Sequence, residues 1–319
     1  MKISAIIPTY NNQNFIVDAI TSIQKQSHPV DEIIIIDDGS TDSTEQTITS
    51  LPYPVRYIKQ KNQGPSAARN KGIQLAQGDW IAFLDADDQW TIDKIEKQIA
   101  VLKQNPELHL IAGDMQEIGT DNKIITPSVL AKHNLLAQFQ AHPGSSIQNA
   151  LTKLVHKNFI PTGSVLVKHS TLIEADMFNP RIRFGEDLEL WAKITAHHPI
   201  TCLPEILMLR RLHDQNATKC TDLMLKDLVS VMQSIRTHTK TELKQQNIVA
   251  DNLVAKAWSD LGYWYFINEN QKQAKQAFYH SIKEKPSKRA LIYLLSSSLP
   301  IPLTKSLRKA KQNLFGSLQ

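Results

Sequence analysis

The sequence predicts an α/β protein, with a mostly parallel central sheet flanked by helices over residues 1–218 and a helical region over residues 219–319. Three observations lead there. Short apolar runs alternate with stretches of helical spacing through the first part of the chain. Each of these runs stops at a polar or acidic loop, and beyond Thr218 only the helical spacing continues, in a composition richer in Lys, Gln and Leu. Strand-then-helix repeats build parallel sheets with right-handed crossovers, and such sheets keep their ligand loops at the C-terminal ends of the strands.

Ile3 to Ile7 form an apolar run closed by Pro8, and Phe15, Ile16, Ala19, Ile20 and Ile23 recur at helical spacing, so the chain opens strand, loop, helix. Ile33 to Ile36 is a β-branched run of the kind a strand buried on both faces needs. It ends at Asp37-Asp38-Gly39-Ser40-Thr41-Asp42, where Asp42 and Glu45 have the spacing of a capping box. A third strand, Val55 to Lys59, leads through Asn62-Gln63-Gly64-Pro65-Ser66 into a helix with Ala67, Ala68, Ile73 and Ala76 that Gly78 ends. The fourth run, Ile81-Ala82-Phe83-Leu84, stops at Asp85-Ala86-Asp87-Asp88, a buried strand delivering three carboxylates to the sheet edge.

A helix through Ile92, Ile95, Ile99 and Leu102 and a strand from Leu108 to Ala112 follow. Residues 120–157 weaken into polar and small residues around the loop signal His142-Pro143-Gly144-Ser145-Ser146. Pattern returns with a turn and strand over Ile160 to Val167, a helix start at Gly185-Glu186-Asp187, and a strand from Glu205 to Leu209 that runs into Arg210-Arg211-Leu212-His213.

Composition narrows the class. The chain has 319 residues, 41% of them hydrophobic, enough for a full α/β core and an appended smaller region. A net charge of +5 suits an anionic partner, but no arginine-rich block interleaved with aromatics marks a nucleic-acid face. Cys202 and Cys220 are the two cysteines and form no C-x-x-C pair, so two reduced thiols of a cytoplasmic protein are expected rather than a disulfide framework or zinc site. No signal peptide or membrane-spanning run is read. The first strand is followed by neither G-x-G-x-x-G nor G-x-x-x-x-G-K-[ST], which argues against nicotinamide or flavin enzymes and P-loop ATPases.

Pro8-Thr9-Tyr10-Asn11, Asp37-Asp38-Gly39-Ser40-Thr41-Asp42, Asn62-Gln63-Gly64 with Ala67-Ala68-Arg69-Asn70, and Phe83-Leu84-Asp85-Ala86-Asp87-Asp88 stand in the order and spacing of the family 2 glycosyltransferases. The chain resembles that family to about Asn216, and the resemblance implies its GT-A nucleotide-diphospho-sugar fold. Sugar transfer from a nucleotide diphosphate needs charge placed against a leaving diphosphate and a base for an acceptor hydroxyl. Oxygen ligands suit Mg²⁺ or Mn²⁺, so Asp85 and Asp87 can hold a metal that neutralises the diphosphate. The resemblance implies Asp87 as direct ligand, Asp85 as a ligand through water or a holder of the donor's ribose, and His213 as a third ligand. Ala86 and Asp88 complete the donor-side segment, Asp88 facing the donor sugar.

Asp38 is free to accept a hydrogen bond from a base N–H, as uracil or thymine presents, which implies a UDP- or dTDP-sugar. Pro8, Thr9, Tyr10 and Asn11 surround the base in this reading. Gly64 permits close backbone approach, and Arg69 either supports the nucleotide pocket or pairs with a neighbouring carboxylate. Asp187 matches the family's catalytic carboxylate, with Glu186 and Trp191 on the acceptor side and variable acceptor structure in residues 120–157. One base without a covalent nucleophile implies inversion. The acceptor would be a glycan or lipid-linked glycan of a cell-surface polysaccharide. Two rival readings are a sugar-nucleotide nucleotidyltransferase, whose glycine-rich loop with Arg and Lys is missing, and a non-catalytic nucleotide-sugar or partner-binding module.

In the helical region, Trp258, Leu261, Gly262, Tyr265, Ala274, Phe278 and Pro286 fall on the spacing of one tetratricopeptide-like hairpin, read as packing on neighbours because one repeat cannot bury its face alone. The end of the chain is apolar and basic, with Lys288, Arg289, Lys305, Arg308, Lys309 and Lys311 and no acidic residue after Glu284. Such an end suits a peripheral place on the anionic inner face of the cell membrane, at roughly 1 kcal/mol per well-placed cation.

Overall fold

In the computed structural model, which describes residues 1–214, 216 and 221–300, the first strand is buried along its whole length. That burial explains why β1 (Ile3–Thr9) runs apolar without alternation. Its one early polar side chain, Ser4, is satisfied by donating to Glu32 Oε1 at 2.5 Å and accepting from the Gly78 N–H at 2.9 Å. Strand and helix then alternate through α1 (Ile16–Gln24), β2 (Glu32–Asp37), α2 (Thr44–Thr49), β3 (Arg56–Lys59), α3 (Pro65–Leu75) and β4 (Trp80–Phe83). The short β5 (Gln89–Trp90), α4 (Lys94–Gln104), β6 (Leu110–Ile118) and β7 (Ile124–Thr126) follow. Three short helices, α5 (Val129–Lys132), α6 (Leu136–Gln140) and α7 (Ala150–His156), occupy the segment whose pattern faded in the sequence. A 3₁₀ turn at Thr162–Ser164, β8 (Leu166–Lys168), α8 (His169–Glu174), α9 (Glu186–His197) and β9 (Ile200–Arg211) complete the unit Met1–Ala217.

The sheet order is β3-β2-β1-β4-β8-β6-β9-β5, with β7 on β6. The four strands read as successive strand–helix units are parallel to one another. Beyond β4 the sheet becomes mixed: β8 is antiparallel to β4 and β6, β9 is parallel to β6, and β5 is antiparallel to β9. Ile3, Ala5 and Ile7 face α1 and its Ile16, Ala19, Ile20 and Ile23 across one side of the sheet. On the other side Ile34 and Ile36 meet Ala68 of α3.

Three local expectations differ from the structure for identifiable reasons. Asp42 and Glu45 form no capping box: Asp42 accepts from the Thr44 and Gln13 N–H groups, and Glu45 pairs with Lys59 at 2.8 Å. β9 starts earlier than the expected Glu205 because it runs along β6, and Pro204 falls where the register shifts between Gly113 and Asp114, so its missing N–H breaks no ladder bond. Gly78 does not end α3, which stops at Leu75. A Cβ on Gly78 would lie 2.6 Å from the Ser4 nitrogen, so the residue is glycine because β1 passes against it. Gly78→Ala is therefore expected to lower the unfolding free energy by about 1–3 kcal/mol, the cost of overpacking against backbone. Urea denaturation reads this directly, and an unchanged midpoint would show that β1 yields at that point.

The second unit, Thr218–Gln319, is helical over its described residues. α10 (Thr221–Gln245) kinks at Thr239, whose hydroxyl donates to the Ile235 carbonyl. α11 (Ala250–Ile267) and α12 (Gln271–Glu284) form the expected hairpin, and α13 (Lys288–Ser296) packs after it. Gly262 lets the hairpin close, since a Cβ there would lie 2.9 Å from the Phe278 ring. Cys202 is a buried free thiol, while Cys220, Lys305, Arg308, Lys309 and Lys311 lie outside the described residues. Among the described residues no helix is long and apolar enough to cross a membrane.

Candidate active site

β1 lies between β2 and β4: the connection after β1 runs to β2 on one side, and the connection after β3 crosses to β4 on the other. A crevice opens at such a switch point, outside the strand C-termini. The four sequence motifs converge on that edge. Pro8 and Thr9 are buried in β1, and the Thr9 hydroxyl is buried with no hydrogen-bond partner. Tyr10 is 47% exposed, and Asn11 takes the left-handed conformation at φ 55°. Asn11 is laced to the second loop, its N–H donating to Ser40 Oγ at 2.9 Å and its Oδ1 accepting from the Thr41 N–H at 2.8 Å.

Asp37 is fully buried and accepts from Tyr57 Oη at 2.6 Å and the Ser40 N–H at 2.7 Å. Burial and this carboxylate push the Tyr57 phenol well up. Asp38 ties the second loop to the third. It accepts from Gln60 Nε2 at 2.8 Å and from the N–H groups of Gln63 and Gly64 at 2.9 and 2.7 Å. Three donors leave one of a carboxylate's roughly four acceptor directions open. Gly64 sits at φ +89° with no atom within 4 Å of where a Cβ would be, so glycine is required by conformation and the space beside its backbone is open.

Arg69, on α3, is the hub of the site. It is 5% exposed, donates from Nη2 to Asp85 Oδ1 at 2.7 Å and from Nη1 to Glu186 Oε1 at 2.9 Å, and lies over the Phe178 ring at 5.3 Å. Of the two sequence readings, pairing with a carboxylate is the one seen, and it is double. Burial disfavours the guanidinium charge, but Asp85 and Glu186 more than offset it and raise its pKa. Glu186 opens α9 after Gly185, whose φ of 81° suits glycine. Burial pushes Glu186 up to about 7, against the pull of Arg69 and with the push of Asp187. Burial likewise raises Asp187, which accepts from its neighbour's N–H at Leu188 and from Asn158 Nδ2 at 3.2 Å.

On the far side of the same loop, Asp87 Oδ2 lies 2.9 Å from His213 Nε2 and accepts from Asn216 Nδ2 at 3.3 Å. Asn216 Nδ2 also lies 3.3 Å from His213 Nε2, so the imidazole tautomer decides whether that nitrogen donates to Asp87 or accepts from Asn216. In this arrangement His213 orients the Asp87 carboxylate. Phe15 stacks on the His213 ring at 4.7 Å. Burial, then the charge of Asp85, raise the Asp87 pKa against the pull of His213.

Three other residues have positions that differ from their expected roles. Asp88, expected to face the donor sugar, is buried and accepts from the Arg211 N–H at 2.9 Å, fixing the end of β9; its pKa is raised by burial. The Ala86 methyl is 2% exposed and belongs to the core. Trp191, expected on the acceptor side, is fully buried and meets Phe178 edge to face at 5.8 Å, and Phe178 in turn meets Phe83 of β4 at 5.4 Å. Asn158 and Phe178 entered the site without any sequence signal, since both act through contacts far along the chain.

Among the described residues no three His, Cys, Asp or Glu side chains are grouped to hold a metal by themselves. Mg²⁺ and Mn²⁺ are commonly held by one or two carboxylates with phosphate oxygens and water completing the shell. Asp85 and Asp87 fit that demand: one oxygen of Asp85 is committed to Arg69 and one of Asp87 to His213 and Asn216, leaving the second oxygen of each without a side-chain partner among the described residues.

A mixed sheet with acidic loops at its switch point and a paired carboxylate helix start defines a nucleotide-sugar-transferase type of fold, GT-A. The model of glycosyl transferase family 2 matches residues 4–168, just over half of the chain, and the chain belongs to that family. It is 36% identical over 203 residues to an uncharacterized glycosyltransferase of Rickettsia felis, a match covering 62% of this chain and 31% of that protein. The chain thus spans under a third of that relative. A Bacillus subtilis protein named as a teichuronic acid biosynthesis glycosyltransferase, TuaG, is 31% identical over 231 residues, covering 68% of this chain and 83% of that one. The crystal structure of residues 1–349 of Staphylococcus aureus TarS in complex with UDP matches at a TM-score of 0.68 and 17% identity, covering 97% of this chain and 92% of that chain. The same TarS segment with UDP-GlcNAc matches at 0.65 and 17%, covering 93% and 84%.

Arg69→Leu removes one partner from a buried ion-pair triad and leaves two carboxylates uncompensated. It is expected to cost about 3 kcal/mol of stability, the low end for a broken buried pair because Asp85 keeps solvent access. Urea unfolding of the variant against wild type measures this; a loss below 1 kcal/mol would mean that solvent reaches the triad.

Proposed function

We propose that the chain is an inverting, metal-dependent glycosyltransferase that moves a sugar from a UDP- or dTDP-linked donor to a hydroxyl of a glycan or lipid-linked acceptor in cell-surface polysaccharide synthesis. The observation that carries this is the Asp85–Arg69–Glu186 triad, which sets the acidic donor loop beside the carboxylate that opens α9 at the switch point of the sheet. The names of TuaG and of the UDP and UDP-GlcNAc complexes of TarS support the same reading.

Asp38, with Tyr10 and Asn11, receives the base, and the open backbone at Gly64 takes the nucleotide at close range. Asp85 and Asp87 would hold Mn²⁺ or Mg²⁺, which when bound neutralises charge on the leaving diphosphate. His213 and Asn216 keep the Asp87 carboxylate in one orientation. Asp187 takes the proton of the acceptor hydroxyl at a carboxylate oxygen, and Asn158 fixes that carboxylate. Glu186 does not compete for this role because its charge is turned to Arg69. One base and no covalent nucleophile give a single displacement with inversion. Work on a bacterial surface glycan would place the chain on the cytoplasmic side of the membrane.

Asp187→Asn is expected to leave UDP-sugar binding intact and to lower transfer by about 10²- to 10⁴-fold, the contribution of a positioned base. Calorimetric titration with UDP-sugar together with UDP release in the presence of acceptor checks both halves, and wild-type turnover in the variant would remove Asp187 as the base. A chelator should abolish transfer, and Mn²⁺ or Mg²⁺ should restore it. Release of pyrophosphate instead of UDP would point to a nucleotidyltransferase.

The base acts deprotonated, and burial raises the Asp187 pKa above its ordinary 3.8, so its charged form is lost at a higher pH than for an exposed aspartate. The acid limb of kcat/KM against pH should therefore lie above 3.8 and disappear in the Asp187→Asn residual activity. A limb at the ordinary aspartate value would show the carboxylate to be solvated in the working enzyme.

A further inference from the structure

The second unit carries a surface that transfer chemistry does not use. In α13, Ala290 and Ser297 are fully buried, and Tyr293 meets Tyr263, Phe266 and Phe278, so this side of the helix docks on α11 and α12. A surface helix normally turns its apolar stripe inward and its polar face outward. Here a second stripe faces outward: Lys288, Leu291, Ile292 and Leu295 lie at i, i+3, i+4 and i+7 and share the opposite side. Leu291, Ile292 and Leu295 are 45%, 60% and 71% exposed. Scattered exposed aliphatic residues need no explanation, but a contiguous helix face of them marks a contact surface.

The charge around it selects the occupant. Lys283, Lys285 and Lys288 are exposed and have no ion-pair partner among the described residues. The acidic side chains of α11 and α12, Asp251, Asp260 and Glu284, are already held by Arg236, Lys256 and Arg289. No acidic residue follows Glu284 in the sequence. An aliphatic stripe with Lys288 on its own face and exposed Lys283 and Lys285 in the segment just before the helix repels a second copy of itself and an electropositive partner, and it matches an acyl boundary beneath anionic head groups.

We propose that α13 docks the protein on an anionic lipid surface, with Leu291, Ile292 and Leu295 entering the acyl boundary and Lys283, Lys285 and Lys288 meeting lipid phosphates. This rests on the helical unit alone and stands or falls apart from the transferase reading. One short helix gives reversible attachment, and attraction to the cations makes it salt-dependent.

The full chain is tested by co-sedimentation with vesicles of equal parts phosphatidylglycerol and phosphatidylcholine, and with phosphatidylcholine alone. Binding to the anionic vesicles that weakens with salt is expected. The double variant Ile292→Asn, Leu295→Asn should bind roughly tenfold or more weakly at unchanged Tm, since both side chains are exposed, tenfold being the step of 1.4 kcal/mol in affinity. Lys283→Gln, Lys285→Gln, Lys288→Gln should lose the preference for phosphatidylglycerol. Wild-type protein left in the supernatant at low salt, or binding unchanged in both variants, would overturn the proposal. So would self-association in sedimentation velocity that the double variant abolishes while vesicles recruit nothing.

Discussion

A buried guanidinium constrains this structure more than any other single group. Arginine keeps its charge under all ordinary conditions, so Arg69, 5% exposed, cannot escape the cost of burial by losing a proton. Its charge is tolerable only with carboxylates at both ends of the fork, and these come from Asp85, 16 residues along, and Glu186, 117 residues along. The end of β4, the side of α3 and the first turn of α9 must therefore meet. The next residue secures the same meeting: Asn70 donates to the Phe178 carbonyl at 2.7 Å and accepts from the Phe178 N–H at 2.9 Å. Neighbouring positions on α3 thus hold the segment leading into α9 by charge and by amide, and Phe178 then floors Arg69 and abuts Trp191.

Much of this was legible in the sequence where a period or a run carried it. Ile33 to Ile36 could only be a strand buried on both faces, and a carboxylate cluster directly after such a run had to emerge at the sheet edge. The helical hairpin was equally legible, because Gly262 and Phe278 need each other to close it. What spacing cannot show is the direction a loop side chain takes, because that depends on partners distant in sequence. Asp85, Asp87 and Asp88 read alike in the chain. Their destinies diverge because Arg69 takes the first, His213 the second and the Arg211 N–H the third, 123 residues away. Trp191 differs for a related reason: it lies four residues beyond Asp187 and so near the same helix face, yet α9 is buried from Leu188 to Ala192.

The mixed half of the sheet is where topology outran the sequence. Strand–helix alternation predicts a mostly parallel sheet and says nothing of β8, which enters between β4 and β6 antiparallel to both. The effect is functional. β9 is carried across to pair with β5, directly after the acidic loop, and its end delivers Arg211, His213 and Asn216 to that loop. Arg211 is itself tied to Asp18 of α1 and to Asn122.

Two separate braces therefore act on one tetrapeptide. The α3–α9 side pulls Asp85 toward Arg69, and the β9 side pulls Asp87 toward His213, while Asp88 anchors the backbone between them. Each brace consumes one oxygen of its carboxylate. A ligand that satisfies both leftover oxygens would have to approach them with hydrogen-bond donors or positive charge, because neither carboxylate can rotate to meet it without breaking an ion pair or hydrogen bond. A diphosphate brought to this edge would add its negative charge to that of Asp85 and Asp87, a repulsion that a bound cation would offset. Arg69, already committed to two carboxylates, cannot supply that charge and instead fixes where Asp85 and Glu186 stand.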